Sequence, residues 1–95
     1  MQTGRAAIRL PRGLHIEVHC VWLDWRMDLW REDTYPSEHE VQTVRRAFDV
    51  PDDAVQYRAV DRFVIEWSED VGECSVDDDL LTQQLVLSGE QMCLL

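Results

Sequence analysis

The sequence contains no lysine and no asparagine, so its nine basic side chains are all arginines. Nineteen acidic residues stand against them, and the formal net charge at pH 7 is −10. A protein this acidic repels nucleic acids and anionic membranes and attracts basic surfaces. We therefore expect no direct binding to nucleic acid and none to membranes. The partner we expect is a protein with a basic surface.

The missing lysine and asparagine also have an explanation that does not involve binding. The codons of both residues are rich in A and T, so their absence indicates a GC-rich gene. An acidic chain without lysine also suits a cytoplasm of high salt content. Adaptation to salt is therefore an alternative explanation for the charge.

Long hydrophobic runs are absent too. No stretch of about 18 apolar residues occurs, so we expect no membrane-spanning helix. The N-terminal segment carries arginines without an apolar stretch, and we expect no signal peptide. Cysteine is scarce: Cys20, Cys74 and Cys93 are an odd, widely spaced set that fits neither a disulfide framework nor a CxxC metal site. We expect reduced thiols in a cytoplasmic protein.

Two strand patterns lie near the N-terminus, on either side of a Pro-Arg-Gly turn. In the second pattern, residues 14–22, apolar and polar side chains alternate. After Trp22 the alternation shifts by one residue, which indicates a bulge or a tight turn. If Trp22 and Trp25 lie on the buried face, Trp30 falls with Asp28 on the polar one. At least one of these tryptophans is therefore expected to be exposed.

One helix is predicted over residues 37–48. Ser37 and Glu40 have the spacing of a capping box at its start. The apolar stripe consists of Val41, Val44 and Phe48. Pro51 prevents the helix from continuing.

A further strand pattern covers residues 54–67. Its unbroken alternation favours one long or bulged strand, although a turn at Asp61-Arg62 would make it a hairpin. In the long-strand interpretation one face carries Val55, Tyr57, Ala59, Phe63, Ile65 and Trp67. Residues 77–95 fit either a helix or a hairpin, and we favour the hairpin.

The chain has no internal repeat and no linker, so residues 1–95 are expected to form a single domain. Its strand patterns follow one another closely and outnumber the confident helix. The predicted fold class is therefore α+β: a small antiparallel sheet of about four to five strands with one amphipathic helix packed on it.

No motif of a known catalytic site is present, and we expect no enzyme activity. His15 and His19 have the spacing of a helical metal site, but on a strand they lie ~13 Å apart. The acids of residues 69–79 lack the order of a calcium-binding loop. We therefore expect no metal and no cofactor. A small enzyme that uses these histidines or Glu17 is a third alternative, and nothing else in the sequence supports it.

Residues 66–79 contain seven acidic side chains and no basic one. This segment, called the acidic run below, is either a solvated loop or a docking surface for a basic groove. Carboxylates two apart on a strand are spaced by ~6.6 Å, and duplex DNA carries one charge per ~1.7 Å of its axis. Such a row of carboxylates can therefore occupy a channel that normally holds nucleic acid.

Tryptophan is enriched at the centres of protein interfaces, so Trp30 or Trp25 is the expected anchor. The alternative for Trp30 is a half-buried edge residue that packs against the helix. The predicted partner-binding residues are Trp25, Asp28, Trp30, Glu69, Asp70, Glu73, Asp77, Asp78 and Asp79.

These residues predict a non-catalytic inhibitor that blocks the basic nucleic-acid-binding surface of a partner, such as a nucleic-acid-processing complex, by acidic mimicry. In size and charge the chain resembles phage-encoded inhibitors of bacterial defence nucleases, such as anti-CRISPR proteins, which implies action in a host cytoplasm. The alternative is a structural or assembly subunit that oligomerises through edge strands or tryptophans. The sequence leaves both a monomer and a homodimer open.

Overall fold

A computed structural model describes residues 3–69 of the chain. The strands are β1 (Thr3–Arg9), β2 (His15–Val21), β3 (Asp24–Trp30), β4 (Val55–Arg58) and β5 (Arg62–Ser68), and the helix is α1 (Glu38–Ala47). The strands form one sheet in the order β1-β2-β3-β5-β4, and every neighbouring pair is antiparallel. The predicted α+β class is confirmed within these residues. No helix among them is long and apolar enough to cross a membrane.

The Pro-Arg-Gly turn between β1 and β2 is confirmed. It is a single 3-10 turn, Pro11–Gly13, in which the N–H of Gly13 donates to the carbonyl of Leu10 at 3.2 Å. The N–H of Leu10 donates to the carbonyl of Leu14 at 2.7 Å and closes the loop between the two strands. Arg12 and Gly13 have φ values of 69° and 75°. Glycine adopts this left-handed conformation without steric cost, whereas arginine does not.

The shift in alternation after Trp22 is a tight turn. Trp22 and Leu23 connect β2 to β3, and Val21 pairs with Asp24 on either side of them. Trp22 has a φ of 58° and its side chain is 58% exposed. The expectation that it lies on the buried face is therefore wrong, because the turn takes it out of the sheet. Trp25 does lie on the face that packs against α1.

The core lies between α1 and one face of the sheet. Cross-strand partners such as Ile16 and Leu29, or Val18 and Met27, are all essentially buried there. From the helix, Val41 and Val44 are fully buried and Phe48 is partly buried against the core, so the predicted stripe is confirmed.

The predicted capping box of α1 is confirmed. The Oγ of Ser37 accepts from the N–H of Glu40 at 3.1 Å, and the Glu40 carboxylate accepts from the N–H of Ser37 at 2.9 Å. Acidic residues in the first turn and arginines in the last turn complement the helix dipole. The helix ends at Ala47, four residues before Pro51.

Residues 54–67 form a hairpin, so the preferred long strand is wrong. The N–H of Ala59 donates to the carbonyl of Arg62 at 2.9 Å and closes the turn. The pairing places Tyr57 opposite Val64, on the face away from α1, together with Val55. They therefore do not share the face of Phe63, Ile65 and Trp67. The turn reverses the chain so that odd-numbered residues lie opposite even-numbered ones, which sequence alternation does not reveal.

Candidate interaction surfaces

No helix or strand of residues 3–69 covers the sheet face opposite α1, which is called the open face below and carries a row of stacked planar side chains. His15, Trp30 and Arg62 are aligned across β2, β3 and β5. The imidazole of His15 stacks on the indole of Trp30 with a centroid distance of 4.9 Å and an angle of 10°. The guanidinium carbon of Arg62 lies 4.9 Å from the Trp30 ring centroid. Trp30 is therefore half-buried in a central strand, and the alternative that it is an edge residue against the helix is wrong.

Two carboxylates in the centre of the open face, those of Asp28 and Glu66, are paired with arginines. Asp28 is only 8% exposed, and its Oδ1 lies 3.2 Å from Nε of Arg26. Arg62 approaches the same carboxylate at 3.9 Å, and Arg26 also approaches Glu66 at 3.9 Å. The expectation that Asp28 lies beside Trp30 on the polar face is confirmed. Its carboxylate is therefore already paired with arginines within the sheet.

Tyr57 lies on the same face, on β4. Partial burial raises the pKa of its phenol first of all, and the hydrogen bond to Glu66 and the negative charge of Glu66 raise it further. This tyrosine therefore belongs to the charge network of the open face, although its side chain is 39% exposed.

A second group of aromatic residues lies at the end of the sheet where β2 turns into β3. Trp25 and Trp67 are cross-strand partners, and their indoles stack at 5.8 Å with an angle of 5°. The adjoining turn residues Trp22 and Leu23 are 58% and 38% exposed. We call these four residues the aromatic end. Trp25 and Trp67 are partly buried against the core, whereas Trp22 and Leu23 present large apolar side chains on the surface of a highly charged protein, which favours an interaction site.

The acidic run contacts the aromatic end at Glu69. The indole N–H of Trp67 donates to the Glu69 carboxylate at 3.2 Å, and the N–H of Glu69 donates to the carbonyl of Leu23 at 2.9 Å. The structure therefore brings together Trp25 and Glu69, two of the predicted partner-binding residues. It places Trp30 and Asp28 on the opposite face, away from them.

Trp22, Leu23 and Trp67 were not among the predicted partner-binding residues. The shift in alternation after Trp22 was the signal for the first two, because it marks a turn. For Trp67, only the register of β3 against β5 reveals the contact with Trp25. Five predicted residues, Asp70, Glu73, Asp77, Asp78 and Asp79, lie outside the described part of the chain, as do residues 77–95.

The opposite end of the sheet holds a polar cleft of about 450 Å³, lined by Arg12, Arg31, Thr34, Ser37, His39 and Glu40. Its two most buried charged groups, Arg31 and Glu40, are already bound to each other. Residues 3–69 contain no group of three or more His, Cys, Asp or Glu side chains that could hold a metal ion. The cleft is a weaker candidate for a ligand site than the aromatic end.

Cys20 is fully buried and disulfide-bonded, so the expected reduced thiol is wrong at this position. Its Sγ lies 3.0 Å from the carbonyl oxygen of Trp22. A disulfide sulfur has no proton to donate, so this approach is a contact and not a hydrogen bond. The error arose because spacing along the sequence does not show which cysteines meet in space; Cys74 and Cys93 lie outside the described residues.

Comparison with known proteins gives no relative. No protein-family model matches the chain, and no curated protein or solved structure shows a significant similarity to it. What the chain does must therefore be inferred from its own residues.

Proposed function

We propose that the chain is a non-catalytic binding protein whose interface consists of the aromatic end and the adjoining acidic run. The observation that carries this proposal is the contact of Trp67 with both Trp25 and Glu69. An apolar anchor and Glu69, one of the seven acidic residues of the acidic run, thus meet at one end of the sheet. The partner is a protein with a basic surface, and a nucleic-acid-processing complex fits this description best.

The two parts of this interface have different physical roles. The carboxylates attract the basic partner and speed its approach, and this attraction weakens as salt screens the charges. The exposed indole of Trp22 and the exposed side chain of Leu23 add apolar contact, which salt does not screen. Bound in this way, the chain occupies the groove in which the partner holds nucleic acid and inhibits it by acidic mimicry.

The open face supports a non-catalytic role. A general acid or base needs a titratable group within reach of a substrate. Here Asp28 is nearly buried and paired with Arg26, and Glu17 accepts from Arg5 at 3.0 Å. His15 stacks on Trp30, and its Nε2 atom is buried without a hydrogen-bond partner in the described part of the chain. Two of the three candidate groups of the enzyme alternative, His15 and Glu17, are therefore occupied or out of reach, whereas His19 is exposed.

The experiment that tests the proposal is affinity capture from a GC-rich bacterial lysate, with elution by increasing salt and mass spectrometry of the eluted proteins. Nuclease treatment removes proteins that are held only through nucleic acid. The captured protein is then purified, and its affinity for designed variants is measured by calorimetry at low and high salt.

Two variants separate the two parts of the interface. Trp22→Ser is expected to weaken binding by about tenfold or more at every salt concentration, since interface tryptophans commonly contribute over 2 kcal/mol. Changing Asp77, Asp78 and Asp79 together to Asn is expected to weaken binding at low salt and to flatten its salt dependence. Val60→Ser is the control, because Val60 is 93% exposed in the β4–β5 turn at the other end of β5.

Two outcomes count against the proposal. Equal affinity of wild type, Trp22→Ser and the triple variant would show that the partner binds elsewhere. Binding that is not reduced by added DNA or RNA would exclude the mimicry mechanism, even if both variants bind less well.

A further inference from the structure

Among residues 3–69, β4 is an edge strand that no other strand covers. It lies at the end of the sheet order and consists of four residues, Val-Gln-Tyr-Arg. Edge strands are ordinarily protected by lysine, proline, a bulge or a covering segment. β4 has neither lysine nor proline, and its pairing with β5 is regular. Its apolar side chains are unusually exposed, Val55 at 59% and Tyr57 at 39%.

The backbone of β4 offers hydrogen-bonding groups on its outer side. The bond from the N–H of Ala59 to the carbonyl of Arg62 identifies these two residues as a hydrogen-bonded pair. Hydrogen-bonded pairs alternate with non-hydrogen-bonded pairs along an antiparallel ladder. The backbone N–H and C=O groups of Val55 and Tyr57 are therefore the ones that bond to β5. Gln56 and Arg58 therefore direct their N–H and C=O groups away from β5. In the described part of the chain no strand lies beyond them.

We propose that β4 pairs with β4 of a second copy of this chain, antiparallel and about a twofold axis at Tyr57, so that two sheets join into one. In this register Gln56 of each copy and Arg58 of the other form hydrogen-bonded pairs, with four N–H···O bonds in total. The two Tyr57 side chains lie directly opposite each other on the open face, and a cross-strand aromatic pair stabilises adjacent strands.

The side chains and backbone of β4 favour this register over its neighbours. Moving the twofold axis from Tyr57 to Arg58 puts Arg58 opposite Arg58 of the second copy. Like charges directly opposite each other are destabilising. Moving the axis to Gln56 puts Arg58 opposite Ala54 of the second copy. The N–H of Ala54 already donates to the carbonyl of Pro51 at 3.1 Å, so it is not free to pair. With the axis at Tyr57, each arginine faces a neutral glutamine and every outward backbone group has a partner. This self-complementarity is the reason for choosing a second copy as the occupant.

Charge opposes the association and gives it a recognisable salt dependence. Each copy carries a net charge of −10, and the exposed Asp53 of one copy approaches the exposed Asp61 of the other at the ends of the paired segment. Salt screens this repulsion, so the dimer is expected to tighten as salt rises. Binding to a basic partner weakens as salt rises. The dimer does not rest on the proposed function, and the two can fail separately.

Sedimentation equilibrium of the full chain tests the proposal, at protein concentrations up to about 1 mM and in low and high salt. A four-residue edge buries less area than a stable dimer requires, so we expect a dissociation constant of about 0.1 mM at high salt.

Two substitutions at one position form a matched pair. Gln56→Pro removes an outward N–H that β5 does not use, and proline is tolerated on edge strands. It deletes one hydrogen bond from each copy, and we expect dimerisation about tenfold weaker or worse. Gln56→Ala keeps the N–H and loses only the side chain, which Arg45 contacts at 2.9 Å. We expect the alanine variant to dimerise like the wild type.

The proposal is overturned if the chain stays monomeric at high salt at protein concentrations up to about 1 mM, which is about ten times the dissociation constant expected for so small an interface. It is also overturned if the proline variant dimerises normally, or if both variants lose dimerisation equally. Should the proline variant not fold, amide hydrogen exchange of the wild type decides. Protection of Gln56 and Arg58 that rises with protein concentration supports the proposal, and protection that is independent of concentration overturns it.

Discussion

Arg31 and Glu40 form a two-point ion pair, with Nη1 and Nη2 of the arginine 3.2 and 2.5 Å from the carboxylate oxygens. The side chains are only 15% and 9% exposed. Nε of Arg31 also donates to the carbonyl of Arg12 at 3.0 Å, and Glu40 is the acidic member of the helix capping box. The pair therefore joins the end of β3, the start of α1 and the β1–β2 turn.

Removing this ion pair is expected to destabilise the fold. Glu40→Gln leaves Arg31 without its counterion in a nearly buried position, and we expect the free energy of unfolding to fall by about 2 kcal/mol at pH 7. Glutamine can still accept from the N–H of Ser37, so the capping box persists and does not contribute to the loss. Urea denaturation measures the change. Glu38→Gln, an exposed change in the same helical turn, is the control and should have little effect.

The same pair predicts the response to acid. Burial raises the pKa of Glu40, but the hydrogen bond from Arg31, the backbone hydrogen bond from Ser37 and the arginine charge together lower it below its usual value. A carboxyl group with a lowered pKa stabilises the fold above its unfolded pKa of about 4.3, and this contribution is lost as pH falls through the folded pKa. Urea denaturation between pH 7 and about 3 should show that loss. A Glu40→Gln variant with the pH dependence of the wild type would contradict it.

Tyr57 is expected to titrate above the usual tyrosine range of about 10. Partial burial and the hydrogen bond and charge of Glu66 raise its pKa, so the neutral phenol stabilises the fold until pH rises through that value. Absorbance titration near 295 nm follows the two tyrosines, and Tyr57→Phe assigns the later transition. Glu66→Gln should move that transition toward lower pH. An unchanged midpoint in this variant would remove Glu66 as a cause of the shift.

Asp28 is expected to support the sheet and not the proposed interface. Asp28→Asn weakens its contacts with Arg26 and Arg62 in a nearly buried position, and we expect about 1 to 2 kcal/mol less stability. Binding at the aromatic end should change less than about twofold, because Asp28 lies on the opposite face and such distant sites are usually independent. Asp61→Asn is the matched control, since the exposed carboxylate of Asp61 also contacts Arg62, at 3.0 Å. Equal stability of both variants would contradict the prediction.

The disulfide at Cys20 can be tested by counting thiols. With three cysteines in the chain and one disulfide within it, a single thiol per chain should react with Ellman's reagent in denaturant. All three should react after reduction. Three reactive thiols without reduction would restore the original expectation. Disulfide bonds are typical of oxidising compartments and not of the cytoplasm, so the count also bears on where the chain works.

Features that depend only on residues close together in the sequence were predictable from the sequence. The capping box of Ser37 and Glu40 forms within one helical turn, and the stripe of Val41 and Val44 follows from helical periodicity. The interruption near Trp22 was likewise visible, as a bulge or a tight turn, because a one-residue shift in alternation cannot continue within a regular strand; the position of Trp22 in the turn itself was not predicted. These features need no knowledge of what the chain packs against.

The hairpin of residues 54–67 could not be read in the same way. Both a long strand and a two-strand ladder preserve the alternation, and the choice depends on what holds the turn. Tyr35 lies outside that segment, and its hydroxyl lies within hydrogen-bonding distance of the carbonyls of Ala59 and Val60. The guanidinium of Arg58 lies 4.0 Å from the Tyr35 ring centroid. A contact between segments more than twenty residues apart leaves no periodic signal in the sequence.

The sequence by itself determined the fold class, the helix and its ends, and which side of β3 carries Trp30 and which carries Trp25. The tertiary structure alone decided what each tryptophan contacts: Trp30 lies between His15 and Arg62, while Trp25 stacks on Trp67 beside Glu69. Alternation along one strand assigns a side chain to a face, whereas its neighbours on that face are set by the pairing and register of other strands. The candidate interface arises from that register.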